Sequence, residues 1–286
     1  MIPFTLFTSL DNKNKALLQT FNQFSNQVPN VLKRLLSCTY TISLPIPDSS
    51  PSYFDVLTAF KESGAYCRLF HYVHYTKCEI ENTPFFNLTV SHPLELEGTD
   101  SFDYGSKPVG GCQKCGYGSR VDGNVLVDRK LIRKTKIGYV YPELVVSQEV
   151  KDVIEANELS GVVFKQNVVD WKGREMAPFY TMHMSPLPPL SSSTWLNPDG
   201  FPCKTCGHET TYCQSELRYE AEKLIGAKDF NISSELVDNR HLPRLVVSAK
   251  VRKVFNTNGM IRCCGYWPIV LIQQGAPLPF KPDWIN

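Results

Sequence analysis

No stretch of this sequence approaches the 18 apolar residues of a membrane-crossing helix, and residues 1–10 carry no basic cluster ahead of an apolar run. Neither a membrane span nor a secretory signal is read here, so a cytoplasmic setting is the expectation. Charge of one sign is also lacking. Lys and Arg number 30 against 28 Asp and Glu, a formal net charge of +2, too little to steer the whole molecule toward nucleic acid or a membrane surface. Histidine is sparse as well: His71, His74, His92, His183, His208 and His241 show no metal-ligand or triad spacing. With no acid–base pair or activated nucleophile in view, the chain is expected not to be an enzyme.

Cysteine, by contrast, is plentiful. Ten occur, in a chain too long to need the disulfide framework of a small secreted domain, so reduced thiols and metal ligation fit better. Four form two matching pentapeptides, Cys112-Gln-Lys-Cys115-Gly116 and Cys203-Lys-Thr-Cys206-Gly207. Two thiols three residues apart on a turn, followed by glycine, aim both sulfurs at one point, and two such knuckles supply four ligands for tetrahedral zinc. Cys112, Cys115, Cys203 and Cys206 are thus the candidate metal ligands. The 88 positions from Cys115 to Cys203 are far more than a compact zinc ribbon uses. Two other readings stay open, a thioredoxin-like redox pair and plain reduced core thiols. Redox CxxC motifs come singly at a helix start after a strand, whereas these come twice in polar, glycine-rich surroundings. An all-cysteine set leaves no open position for catalytic zinc. One shared site is expected, with two sites as the alternative if Cys213 or His208 helps the second knuckle.

Periodicity places the elements. Helices are expected from about residue 11 to 24, over 31–36 and over 53–61, with strands over 38–46, 66–80 and 85–90. His71 and His74 fall on opposite faces of such a strand and make a poor ligand pair. The basic cluster Arg129, Lys130, Arg133, Lys134 and Lys136 reads as a solvated hairpin face, since no aromatic residues interleave it for stacking. Residues 178–202, rich in proline and serine, read as a linker or surface loop.

A phrase also repeats. Leu144-Val-Val-Ser147 recurs as Leu245-Val-Val-Ser248, followed in register by Val150 with Val251, Val153 with Val254 and Asn157 with Asn258. Each copy predicts a buried strand, a serine N-cap and a short helix, then a strand over 162–171 or 261–272. Capping by Ser147 and Ser248 is preferred to nucleophilic use, because neither has flanking glycines. The predicted fold is α+β, with duplicated zinc-knuckle plus strand-helix-strand units and an N-terminal α/β appendage. The expected domains are an appendage over 1–82 and a main domain over 83–286, holding repeat one (105–175), a linker (176–200) and repeat two (201–275).

On the doubled CxxCG motif, and on Glu143-Leu-Val-Val-Ser147 running on to Leu159-Ser-Gly-Val162, residues from about 85 to 286 resemble the double-CXXCG motif family, a paralogous set abundant in myxobacteria. The chain departs from that pattern in its extra N-terminal segment and in lacking the proline often found after the first cysteine. The resemblance implies a zinc-binding immunity protein that binds and neutralises a cognate toxin, a protein partner. A zinc-ribbon-like nucleic-acid-binding protein using residues 129–136 on phosphates is the alternative, and a thiol redox protein is the third.

Overall fold

The computed structural model describes residues 3–9, 32–36, 39–45, 55, 58, 73, 75–90, 107–115, 117–118, 120–128, 136–140, 143–170, 172, 174–176, 178–198, 202–209, 211–237, 242–260 and 264–273. It is an α+β structure in which helices pack on a strand-rich, curling framework. Strands β1 (Pro3–Ser9), β2 (Leu32–Leu36) and β3 (Thr39–Pro45) form a small antiparallel sheet with β3 central. The helix expected over 31–36 is therefore a strand, because each of its residues from Leu32 on pairs with β3, from Leu32 opposite Ser43 to Leu36 opposite Thr39. The helix expected over 11–24 and His71 and His74 lie outside the described residues. Of the helix expected over 53–61 only Asp55 and Thr58 are described, both helical.

Helix α1 (Lys77–Asn82) replaces the end of the strand expected over 66–80. Thr76 closes a capping box with Glu79, its hydroxyl oxygen accepting from the Glu79 amide while the Glu79 carboxylate accepts from the Thr76 amide at 2.7 Å. Those two bonds satisfy orphan helix donors, which outweighs the β-propensity of the preceding aromatic run.

The main sheet is assembled from strands far apart in sequence. In chain order come β4 (Phe85–Val90), the short β5 (Lys107–Val109), β6 (Arg120–Asp122) and β7 (Val125–Val127), then β8 (Ile137–Val140) and β9 (Glu143–Ser147). Helix α2 (Gln148–Ala156) leads to β10 (Val162–Lys165), β11 (Val168–Asp170) and β12 (Phe179–Pro186). The remainder is β13 (Leu196–Pro198), β14 (Thr211–Cys213), β15 (Arg218–Glu220), β16 (Phe230–Val237), β17 (Leu242–Ser248), helix α3 (Ala249–Thr257), β18 (Cys264–Pro268) and β19 (Val270–Ile272). Eight strands make one sheet in the order β18-β4-β17-β16-β12-β9-β8, with β10 paired to β12, and β8 also lies against β4 so that the sheet curls round.

The two Leu-Val-Val-Ser phrases occupy matched places. β9 pairs with β12 with Ser147 opposite Phe179, and β17 pairs with β4 with Ser248 opposite Phe85. β12 then receives β10 with Val162 opposite Met184, as β4 receives β18 with Cys264 opposite Val90. The first helical amide donates to a proline carbonyl in both, Gln148 to Pro178 and Ala249 to Pro84, each at 2.8 Å. Each serine accepts from the amide three residues on, Ser147 from Val150 at 3.4 Å and Ser248 from Val251 at 3.3 Å. Caps of this kind contribute about 1 kcal/mol each. At the other end Asn157 and Asn258 return their side-chain amides to the carbonyls of Val153 and Val254, both at 2.8 Å.

The phrases read as continuous apolar runs because both faces are buried. Leu144, Val146, Leu245 and Val247 enter one central core with Phe86, Leu88, Val150, Ile154, Met182, Phe230, Val251 and Phe255. Val145 points the other way, into a smaller core with Val125, Val127 and Val168, and Val246 into another with Leu217, Tyr219 and Ile269. Gly161 makes the turn before β10 with φ +90°, and a Cβ there would stand 2.3 Å from the Phe230 carbonyl, so only glycine fits.

Two expectations change here. Of the stretch expected as a linker, 176–200, the described residues 178–198 are folded: β12 lies inside the main sheet, and Trp195 is fully buried. Its prolines sit at strand ends and corners, where no ladder amide is needed. The strands expected over 162–171 and 261–272 are each two strands in different sheets, β10 and β11 in one case and β18 and β19 in the other. β11 runs parallel to β7, and β19 parallel to β15.

Asp170 at the end of β11 is fully buried and anchors the turn that follows. Its Oδ1 accepts from the amides of Lys172 and Arg174 at 2.9 and 3.0 Å, and its Oδ2 accepts from Arg174 Nε at 2.7 Å. The Arg174 side chain, with these amides, holds the carboxyl down at about 2. A depressed folded pKa stabilises above the unfolded value and is lost as pH falls through the folded one, here between about 4 and about 2. Urea melts should thus show Asp170→Asn less stable than the parent at pH 7, with the gap closing toward pH 2; a gap independent of pH would contradict this.

Candidate metal centre

Each cysteine pair sits where two short strands leave and rejoin. The first lies between β5 and β6, paired with Val109 opposite Arg120, and the second between β13 and β14, paired with Pro198 opposite Thr211. The turns close alike: the Cys112 amide donates to the Tyr117 carbonyl and the Cys203 amide to the His208 carbonyl, both at 2.8 Å. In the second turn Gly207 has φ +72°, and its amide donates to the Cys203 carbonyl at 2.7 Å.

These turns bring the four thiols together across 91 positions of sequence. Cys112 Sγ lies 3.9 Å from Cys203 Sγ, and Cys115 Sγ lies 3.6 Å from Cys206 Sγ. All four sulfurs fall within 4.8 Å of one another, the one such His, Cys, Asp and Glu group found among the described residues. Zinc–thiolate bonds of about 2.3 Å imply sulfur–sulfur edges of about 3.8 Å in a regular tetrahedron. The two cross-knuckle edges bracket that length, so the set could hold a metal ion such as zinc.

Backbone amides point at all four sulfurs and favour thiolate there. Backbone amides of Cys115 and Lys114 lower the Cys112 thiol. Those of Cys206 and Thr205 lower the Cys203 thiol to about 6. The amides of Tyr117 and His208 point likewise at Cys115 and Cys206. These last two thiols nevertheless rise, Cys115 to about 12, through partial loss of water and the crowding of neighbouring sulfurs. Four like charges so close cannot all ionise alone, and a divalent cation at their centre removes that obstacle.

Burial is graded across the cluster. Cys112 is buried, Cys115 and Cys203 are half-buried, and Cys206 is exposed. Beside it the rings of Tyr117 and His208 stack with centroids 3.4 Å apart and planes 19° from parallel. Sequence reasoning missed this contact, although the two residues stand 91 positions apart, the offset of the knuckles themselves. The possible helpers of a second site are engaged elsewhere: Cys213 donates to the Ser215 carbonyl at 3.2 Å, and His208 lies in the stack.

Several other residues singled out by the sequence have local partners. Ser248 donates to Asp229 at 2.7 Å while capping α3, and Asp229 also accepts from the Ser160 amide and hydroxyl, both at 2.9 Å. Lys136 pairs with Glu149 at 2.5 Å, whereas residues 129–134 of the basic cluster lie outside the described residues. His183 lies outside the cysteine group, with Nδ1 4.0 Å from Glu143. No helix among the described residues is long and apolar enough to cross a membrane. No protein-family model, no curated protein and no solved structure matches the chain.

Proposed function

We propose that this is a non-enzymatic zinc-binding protein in which one closed four-cysteine site ties together two duplicated units, and that it acts by stoichiometric binding of a protein partner as an immunity protein neutralising a cognate toxin. The observation that carries the zinc reading is the four sulfurs within 4.8 Å, with cross-knuckle edges of 3.9 and 3.6 Å. Four protein ligands fill the coordination shell and leave none for substrate, so the metal's role is to hold the fold. The duplication is supported by the matched registers, caps and helix ends of the two strand-helix phrases. The partner reading rests on the resemblance of the doubled CxxCG and Leu-Val-Val-Ser phrases to the double-CXXCG family.

The proposed boundary falls between residues 82 and 83, leaving both knuckles in the main domain. The preceding segment still touches it: the Val73 amide donates to the Glu216 carboxylate, and Tyr75 is half-buried. A chain starting at residue 83 is expected to stay soluble and keep its zinc; an insoluble, metal-free product would show that the two parts share a core. Growth rescue on co-expression with a toxin encoded beside this gene tests the partner reading. Rescue with one-to-one co-purification is the expected result. A toxin that kills regardless, or salt-sensitive retention on DNA or RNA, would replace this reading with the nucleic-acid one.

A further inference from the structure

The cluster has an inner edge and an outer edge, and each spans both knuckles. The inner edge joins buried Cys112 to half-buried Cys203, and the outer joins half-buried Cys115 to exposed Cys206 at 3.6 Å. An oxidant arriving from solvent meets the outer edge first. We infer that Cys115 and Cys206 form an oxidation site for hydrogen peroxide, which converts the metal cross-link between the two turns into a covalent one. The inference rests on the four-cysteine metal reading above.

The peroxide is the sole oxidant. The exposed Cys206 thiolate attacks one peroxide oxygen, the O–O bond breaks and hydroxide leaves, giving a sulfenic acid at Cys206. The Cys115 thiolate then attacks that sulfur, the S–O bond breaks, and a second hydroxide leaves as the S–S bond forms. Two thiolates lose two electrons in all, and one peroxide with two protons becomes two waters. The metal is left with Cys112 and Cys203 alone, half of its ligands, and dissociates. Because the new bond runs between the turns, β5–β6 stays tethered to β13–β14 after the metal is gone. A reductant reverses the step and regenerates the four-thiolate set. A disulfide inside either CxxC would instead leave the turns unconnected.

The test uses the full chain loaded with zinc and titrated with hydrogen peroxide. Zinc release is followed with a chromogenic chelator, and disulfides are mapped by non-reducing peptide mass spectrometry after thiol alkylation. Zinc release should track the loss of two thiols and the appearance of a Cys115–Cys206 cross-linked peptide. Dithiothreitol with added zinc should restore the metal. The oxidised protein should also melt at a higher temperature than protein stripped by chelation with its thiols reduced. Exposed Cys78, outside the cluster, supplies a control: Cys78→Ser should release zinc at a rate within about two-fold of the parent. A first disulfide within one knuckle, one involving Cys78, or zinc retained while other thiols oxidise would overturn this inference alone. Untreated protein without zinc would overturn the metal reading, and this inference with it.

Discussion

Cleaving the chain between β11 and β12, into residues 1–175 and 176–286, is expected to leave neither fragment able to form the main sheet, while the two co-expressed should reassemble. The reason is an exchange of strands. β4 belongs to the first fragment but pairs only with β17 and β18 of the second among the main-sheet ladders, and β12 belongs to the second but takes β9 and β10 from the first. The central core is likewise pooled, with Phe86, Leu88 and Val146 from one fragment packed among Phe230, Val247 and Phe255 from the other. A fragment alone would expose both its half of that core and an unpaired strand edge. Since a whole domain is stable by only about 5–15 kcal/mol, losing the shared core exceeds what either piece has to lose. Circular dichroism and size exclusion on each fragment and on the co-expressed pair would check this. Two soluble, cooperatively melting fragments would show that each repeat is a domain in its own right.

The second large effect is expected at the cysteines. Cys206→Ser removes one ligand of the proposed zinc and leaves three thiolates crowded without full charge compensation. Since metal-binding free energy is folding free energy in such sites, the variant should lose about 4 kcal/mol or more and aggregate on expression. Cys112→Ser should behave alike, as should parent protein after exhaustive chelation. Cys213→Ser should not, because that thiol touches the Ser215 carbonyl and stands outside the cluster of four. Thermal melts of the four samples separate the cases. Equal melting temperatures throughout would mean that the clustered thiols are ordinary packing residues.

How much of this was legible in the sequence depended on whether the signal was local. The knuckles were, because a CxxCG turn fixes its own sulfur geometry, and the doubled motif pointed to a joint site even across 91 positions. Ser147 and Ser248 were legible as caps because their bonds reach only three residues along the chain. Residues 178–198 were not, since prolines at strand corners look like loop punctuation unless the partners of β12 are known, and those lie in β9, β10 and β16. Residues 32–36 were misread for the same reason: a short apolar run has no decided period, and pairing with β3 made it a strand. The Thr76–Glu79 capping box was local and readable, but the aromatic run before it carried the strand reading too far. Exchange of strands between the two phrases leaves no local trace at all, because Phe85 opposite Ser248 is a contact between residues more than half the chain apart.

The most direct trial of the account is metal content set against ligand identity in one preparation. Protein purified under reducing conditions without added chelator is analysed for metals by mass spectrometry, then exchanged with cobalt(II), whose visible spectrum distinguishes four-thiolate tetrahedral ligation from sites with nitrogen or oxygen donors. One zinc per chain and a four-thiolate cobalt spectrum, both lost in Cys115→Ser, are the expected results. Two zincs per chain, a mixed-donor spectrum involving His208, or fully folded protein without stoichiometric metal would contradict the single shared four-cysteine centre.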